Sequence, residues 1–202
     1  MREITVEELL NKNNPVIIDV RSPIEYKDGA IPGSINIPLF TDDERVEIGI
    51  IYKNEGQGAA KWRAMELVSP KLPSLLKEIK KTAKDEIPVI HCWRGGNRSK
   101  AVTAFLEFSG LNAKRLVGGY KAYRQGILKE IPELLPDRAV VLHGLTGVGK
   151  TEVLKILEDK GYPVLDLEGM AGHRGSIFGT IGLGEATIKK RLIPFYLSGY
   201  RN

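Results

Sequence analysis

Ile87-Pro88-Val89-Ile90-His91-Cys92-Trp93-Arg94-Gly95-Gly96-Asn97-Arg98-Ser99 joins an apolar run to a glycine-containing loop and holds the single cysteine of this 202-residue chain. Val89 and Ile90 read as the end of a strand. Beyond the loop, Val102, Phe105 and Leu106 fall at helical spacing within Lys100 to Ser109, and Gly110 marks the stop. Cys92 is therefore expected where a strand hands over to a helix, at the N-terminus of that helix. Unpaired backbone N–H groups and the positive end of the helix dipole stabilise an anion there. Arg94 and Arg98 add positive charge, and together these features favour a thiolate. Gly95 and Gly96 are expected to let the loop curl into a nest of N–H groups, with Trp93, Asn97 and Ser99 completing an anion-binding loop. A lone cysteine is more often an inert packing residue, but such a residue has no need of two arginines and two glycines behind it.

Outward from this stretch, apolar runs alternate with helical patterns. Thr5-Val6-Glu7-Glu8 is a capping box that opens a short helix through Leu10. Pro15-Val16-Ile17-Ile18-Asp19-Val20 reads as a strand buried on both faces and runs into Arg21. Ser22-Pro23-Ile24-Glu25 caps a second helix, with proline at its first position. Gly29 to Gly33 is a turn and Ser34 to Pro38 a short strand. Thr41-Asp42-Asp43-Glu44 starts a helix that runs to about Lys53, and Gly56-Gln57-Gly58 predicts a break. Two helices follow, Ala59 to Val68 and Lys71 to Lys84. The second places Leu72, Leu75, Leu76 and Ile79 on one face and lysines on the other. After the cysteine helix, Ala113 to Val117 reads as a strand stopped by Gly118-Gly119, and Tyr120 to Leu135 as a helix broken at Pro132. This alternation predicts a parallel α/β sheet flanked by helices.

The net charge of +5 permits a nucleic-acid partner without arguing for one, because no block of Lys and Arg stands out. One cysteine makes no internal disulfide, so a cytoplasmic location is expected. No apolar run approaches the length of a membrane span, and Met1-Arg2-Glu3-Ile4 does not open a signal peptide.

Asp19-Val20-Arg21, then Glu25-Tyr26, then Gly29-Ala30-Ile31-Pro32-Gly33-Ser34-Ile35-Asn36-Ile37-Pro38, then the Cys92 loop, then Gly118-Gly119-Tyr120 together resemble a rhodanese domain, over roughly residues 1 to 130. The resemblance implies a rhodanese-like sheet and a loop cysteine that carries sulfur or selenium as a persulfide or selenosulfide. A cradle that stabilises a thiolate suits a terminal chalcogen anion equally well.

Glu133-Leu134-Leu135-Pro136-Asp137 reads as a boundary, giving a first domain over 1–135 and a second over 137–202. Arg138-Ala139-Val140-Val141-Leu142-His143 has the pattern of a buried strand. It feeds Gly144-Leu145-Thr146-Gly147-Val148-Gly149-Lys150-Thr151, which fits the Walker A pattern in full and is followed by a helical stretch, Glu152 to Lys160. Gly144, Thr146, Gly147 and Gly149 are expected to surround phosphate oxygens with backbone N–H groups. Lys150 would reach the terminal phosphates and Thr151 would hold Mg²⁺ if a metal is used. Tyr162 to Glu168 reads as another strand ending in acids, of which Asp166 or Glu168 is the candidate Walker B carboxylate. His173 and Arg174, in a glycine-rich stretch, are candidate phosphate contacts.

Rhodanese-like residues followed by Walker A, with Cys92-Trp93-Arg94-Gly95-Gly96, Asp42-Asp43-Glu44-Arg45, Leu165-Asp166-Leu167-Glu168-Gly169 and His173-Arg174-Gly175-Ser176, resemble the tRNA 2-selenouridine synthase family. That resemblance implies conversion of wobble 2-thiouridine in tRNA to 2-selenouridine. Selenophosphate supplies selenium, geranyl diphosphate first S-geranylates the base, and no tightly bound cofactor is expected. Cys92 would serve the selenium step, and the segment Gly144 to Thr151 would bind a diphosphate or a nucleotide with Mg²⁺. Members of the family continue well beyond residue 202, and Gly184 to Lys190 departs from their pattern. The expectation is a shortened P-loop domain, with a second polypeptide as a source of the remainder.

Two other functions fit the same residues. His91-Cys92, five residues, then Arg98-Ser99 also matches the loop of cysteine phosphatases, with Asp19, Asp42 or Asp43 as the acid. A non-catalytic module that binds nucleotide or a partner through an open sheet edge is the third reading. For tRNA, Lys77, Lys80, Lys81 and Lys84 read as a solvated face. Arg94, Arg98, Arg174 and Lys189-Lys190-Arg191 are the better candidates, and Trp93 is placed either to stack on a base or to shield the thiolate. Tyr120 and Tyr123 read as packing residues.

Overall fold

The computed structural model describes residues 2–134, 138–145 and 147–166, the side chains of 130–134 excepted. The chain divides into two compact units, Met1–Lys129 and Glu130–Asn202. In the first unit one parallel sheet contains β1 (Arg2–Ile4), β2 (Ile17–Asp19), β3 (Ile35–Asn36), β4 (Val89–His91) and β5 (Lys114–Leu116), in the order β1-β5-β4-β2-β3. Helical crossovers connect them, as parallel pairing demands: α1 (Val6–Leu10), α2 (Pro23–Lys27), α3 (Asp42–Asn54), α4 (Gly56–Val68), α5 (Leu72–Ala83) and α6 (Asn97–Phe108), with α7 (Gly119–Leu134) after β5. The expected parallel sheet flanked by helices is the observed one.

The central strands β2 and β4 are buried at every position, which is why their sequences are continuous apolar runs. Their register pairs Ile17 with Val89, Ile18 with Ile90 and Asp19 with His91. Asp19 and His91 thus stand side by side at the carboxyl edge of the sheet, and Cys92 lies one step beyond. Sites in open parallel sheets form at that edge. Beneath it, Ile18, Val20, Ile90, Val102 and Leu106 pack in one core with Leu75 and Ile79 from α5.

Local signals set the helix starts. Thr5 Oγ1 accepts the Glu8 N–H at 3.2 Å while the Glu8 carboxylate accepts the Thr5 N–H at 2.8 Å. Thr41 and Glu44 make the same reciprocal pair for α3. On α5 Leu75, Ile79 and Ala83 are buried while Lys77, Lys80, Lys81 and Lys84 are exposed, as expected.

Several expectations need correction. β1 is missing from the pattern because an edge strand is held by ladder bonds to one neighbour, and here only Ile4 is buried. The segment Gly56-Gln57-Gly58 is the first turn of α4 rather than an open break; the positive φ of Gly56 (+90°) alone turns the chain. Helix α6 begins at Asn97, with Gly96 as its N-cap, earlier than the apolar spacing suggests. Helix α7 runs through Pro132, which forfeits one hydrogen bond close to the helix end, where the loss is tolerated.

In the second unit α8 (Lys150–Asp159) forms, but neither expected strand does. Val140 and Val141 are 95% and 82% exposed. A strand buried on both faces needs neighbours on both sides, and among the described residues none flanks 138–143. Residues 162–166 are likewise not a strand, and Leu167 and Glu168 lie outside the described residues. Among the described residues no helix is long and apolar enough to cross a membrane.

Candidate functional site

Cys92 is 3% exposed and belongs to the core cluster, yet its sulfur lies at the base of a loop built for polar contacts. Its Sγ is 3.3 Å from Ser99 Oγ, which also donates to the Gly96 carbonyl at 3.2 Å. The segment from Gly118 to Lys121 holds the other side of the loop. Tyr120 N–H donates to the Cys92 carbonyl and Lys121 N–H to the Trp93 carbonyl, both at 2.9 Å. Arg115, on β5, donates to the Gly95 carbonyl and pairs with Glu3. Nothing in the sequence singled out Arg115, since an arginine in a strand carries no pattern of its own.

The glycines divide by role. A Cβ on Gly119 (φ +59°) would lie 2.2 Å from the Cys92 carbonyl oxygen and 2.4 Å from the Gly95 nitrogen. A Cβ on Gly95 (φ +62°) would meet the Leu116 oxygen at 2.6 Å. Gly96 is not in the left-handed region, and nothing lies within 4 Å of an added Cβ there. The curl expected of both loop glycines therefore rests on Gly95. Gly119→Ala is expected to destabilise the protein by about 3 kcal/mol or more, and Gly96→Ala by about 1 kcal/mol or less. Urea melts of the two variants check the contrast.

The two loop arginines separate. Arg98, in the first turn of α6, makes a bidentate pair with Glu25 at 2.5 and 3.0 Å. Arg45 Nε stands 4.0 Å from the same carboxylate, and Ser22 N–H donates to it at 3.3 Å. Burial alone would raise the Glu25 carboxyl, but Arg98, Ser22 and Arg45 outweigh it and hold it below the usual carboxylate range. Burial likewise disfavours the charged form of Arg98, and Glu25, with smaller contributions from Cys92 and Asp19, overrides it. Arg94 is exposed and makes no ion pair among the described residues. Among the described residues Arg94 is thus a cation without an ion pair at the loop, while Arg98 is a cation held in place. Asn97 is exposed at the helix start.

Below the loop lies a second polar layer. Arg21 and Asp19 are fully buried. Arg21 Nε reaches both carboxylate oxygens at 3.0 and 2.9 Å, and its Nη2 donates to Asp19 and, at 2.7 Å, to the Gly29 carbonyl. Its guanidinium sits 4.3 Å from the Tyr120 ring centre and 5.9 Å from that of Trp93. Trp93 and Tyr120 are themselves 5.6 Å apart. Asn36 Nδ2 donates to the carbonyls of Asp19 and Arg21, both at 2.9 Å. Tyr26 donates to the Ser34 carbonyl at 2.5 Å. The separated sequence signatures are thus the stitches of one small region.

His91 is fully buried beside Asp19, 3.7 Å from its carboxylate, and neither ring nitrogen finds a hydrogen bond. Burial pushes the imidazole down to about 4; Asp19 opposes that shift, and Arg21 adds to it. The unfolded chain takes up this proton near pH 6.5, the folded chain only near 4. Stability from His91 is therefore full above about pH 6.5 and falls by up to about 3 kcal/mol as pH drops to 4. The Glu25 contribution is lost at lower pH still. Urea melts between pH 7 and 4.5 should show the decline, and His91→Asn should flatten it.

In the second unit Lys150 Nζ donates to the carbonyls of Gly144 and Leu145, both at 2.9 Å, which folds the lysine over its own loop. Gly147 and Gly149 each have φ +85°, and Gly149 is the N-cap of α8. A positive φ of this kind is open to glycine and rarely to other residues. Gly144 faces Val148, whose Cγ2 would lie 3.0 Å from an added Cβ. Thr151 is exposed in the first turn of α8, and Asp166 is partly buried. Thr146, Glu168, His173 and Arg174 lie outside the described residues, as does the basic run at 189–191. Among the described residues no cluster of three or more His, Cys, Asp or Glu is placed to hold a metal.

A parallel sheet with this loop at its carboxyl edge defines the class, and the chain belongs to the rhodanese-like domain family, which matches residues 4–126. Residues 137–190 match the AAA domain of tRNA 2-selenouridine synthase. Among curated relatives, the tRNA 2-selenouridine synthase of Bdellovibrio bacteriovorus is 40% identical over 188 residues, 89% of this chain and 48% of its own length. That of Chromohalobacter salexigens is 42% identical over 165 residues, 81% of this chain and 45% of its own. The chain thus spans about half the length of the curated relatives it matches. The crystal structure of the N-terminal domain of a Clostridium difficile 630 protein described as ATP/GTP binding is 37% identical, with a TM-score of 0.60, and covers 62% of this chain and 98% of that one.

Proposed function

We propose that this chain carries the chalcogen-handling step of a tRNA-modifying transferase. Cys92 holds selenium or sulfur as its terminal atom, supplied by selenophosphate and delivered to wobble 2-thiouridine through the S-geranylated base. Arg94 and Arg98 support the anion from the loop, in the roles just separated. The second unit binds the diphosphate of geranyl diphosphate through Gly144, Gly147, Gly149 and Lys150, with Thr151 placed for Mg²⁺. Thr146, Glu168, His173 and Arg174 lie outside the described residues and join this proposal on the sequence pattern alone.

The observation that carries this reading is the placement of Cys92: a buried sulfur in contact with the Ser99 hydroxyl, one step beyond the carboxyl edge of a rhodanese-like sheet. The near-40% identity of the curated relatives over both matched regions supports tRNA as the acceptor. The matched part is about half the length of these relatives, and a second polypeptide finds no support in them.

The phosphatase reading keeps its spacing, since Cys92 and Arg98 flank the loop, but its acid is hard to find. Asp19 is locked to Arg21, Asp42 accepts the Ile24 N–H at 2.9 Å, and Asp43 is exposed on the first turn of α3. Lys150→Ala is the direct test of the divided roles. It is expected to weaken geranyl diphosphate binding at least about tenfold, as loss of a charge-assisted contact does, and to leave sulfur loading of Cys92 unchanged. Calorimetric titration with geranyl diphosphate, run beside thiosulfate loading followed by mass, measures both. Equal losses in both assays would contradict two separate sites.

A further inference from the structure

The geometry points to Ser99 as a catalytic residue that stabilises the Cys92 sulfur when the carried atom leaves; this rests on the reading of Cys92 as the chalcogen carrier. Ser99 is fully buried and Cys92 nearly so, leaving water little access to either polar atom. The hydroxyl has one proton and two acceptors in reach, the Gly96 carbonyl at 3.2 Å and Cys92 Sγ at 3.3 Å. A hydroxyl both donates and accepts. With a neutral thiol, the S–H donates to Ser99 Oγ and Ser99 donates to Gly96. With a thiolate, or a thiolate in formation, the same hydroxyl turns its proton to sulfur. The backbone of Ser99 is fixed while this happens, because its carbonyl accepts from Thr103 Oγ1 at 2.8 Å. Arg98 is engaged by Glu25, and among the described residues Ser99 supplies the hydroxyl in direct contact with Sγ.

Two half-reactions use this contact unequally. In loading, the Cys92 thiolate attacks the outer sulfur of thiosulfate; the new S–S bond forms, the S–S bond of the donor breaks, and its electron pair leaves with sulfite. In discharge, cyanide attacks the outer sulfur of the persulfide. The C–S bond of thiocyanate forms, the bond to Sγ breaks, and that electron pair returns to Sγ. Charge accumulates on Sγ only in discharge, so the hydroxyl proton is needed most there.

The test uses the full chain, thiosulfate as donor and cyanide as acceptor, with each half-reaction followed in a single turnover by intact mass. Ser99→Ala is expected to slow discharge about tenfold to a hundredfold while loading changes less than about threefold, the scale of one hydrogen bond to a charged group. Ser99→Thr keeps the hydroxyl and should keep the wild-type ratio of the two rates. Ser99→Val, its isostere without the hydroxyl, should behave as Ser99→Ala does, so the Thr and Val pair decides the matter if the alanine variant fails to fold. Wild-type discharge in the Ala or Val variant would overturn the proposal. So would an equal fall in both half-reactions with the fold intact, which marks a merely structural residue. If wild-type protein takes up no sulfur, the reading of Cys92 itself fails, an outcome distinct from a normal loading step with an unchanged discharge.

Discussion

Cys92→Ser is expected to abolish chalcogen transfer, by about a thousandfold or more, the scale of losing a nucleophile. An alcohol oxygen does not hold sulfur or selenium as a terminal anion, and no second cysteine exists to take over. The change is small in other respects. Serine fits the same volume, and its hydroxyl finds Ser99 Oγ where Sγ now lies, 3.3 Å away. The stability cost is therefore expected to stay near about 1 kcal/mol. The Walker A loop belongs to the other compact unit, so geranyl diphosphate binding should persist in this variant. A single-turnover assay with thiosulfate and cyanide, run beside calorimetric titration, measures both halves of the expectation. Transfer above a tenth of the wild-type rate would move the chemistry away from Cys92.

Arg21→Met is expected to cost about 3–5 kcal/mol, because it leaves the Asp19 carboxylate charged and without its partner in a site closed to water. Side-chain exposure is 1% for Arg21 and 0% for Asp19. Arg21 also supplies the donor to the Gly29 carbonyl and the cation against the Tyr120 ring. A domain of this size has a total stability of about 5–15 kcal/mol, so the loss is a large share of it. Arg21→Lys should recover little, since an ammonium cannot span both carboxylate oxygens as the guanidinium fork does. The double change Asp19→Leu with Arg21→Met should be milder than Arg21→Met alone, because no buried charge then remains. Urea denaturation of the three variants gives the comparison. A loss below about 1 kcal/mol for Arg21→Met would show that water reaches Asp19.

The sequence made the central strands legible because β2 and β4 are buried on both faces and therefore apolar throughout. It made α1 and α3 legible because their capping boxes are local. The edge strand β1 was hidden, since one neighbour and a polar composition leave no periodic trace. The early start of α6 was hidden because Gly96, Asn97 and Arg98 carry no apolar spacing. At the site, Cys92, Arg94, Arg98 and Ser99 stood out as one run. Their division of labour did not, because Glu25 is 73 residues from Arg98 along the chain and reads locally as a helix cap. The same holds for Gly119, whose need for a bare Cα arises from its positive φ and its close approach to the Cys92 carbonyl and the Gly95 nitrogen. In the second unit the Walker A pattern survives as a local loop and helix. The strand patterns beside it depend on sheet neighbours that the described residues do not contain.

The most direct test of Cys92 as a chalcogen carrier is intact mass after incubation with selenophosphate, with thiosulfate and with an aryl phosphate, wild type beside Cys92→Ser. The predicted result is an adduct of one selenium or one sulfur atom on the wild-type chain, absent from the variant, with no phosphate released from the aryl ester. Cys92-dependent release of phosphate without any chalcogen adduct would contradict it and assign the loop to phosphoryl chemistry instead.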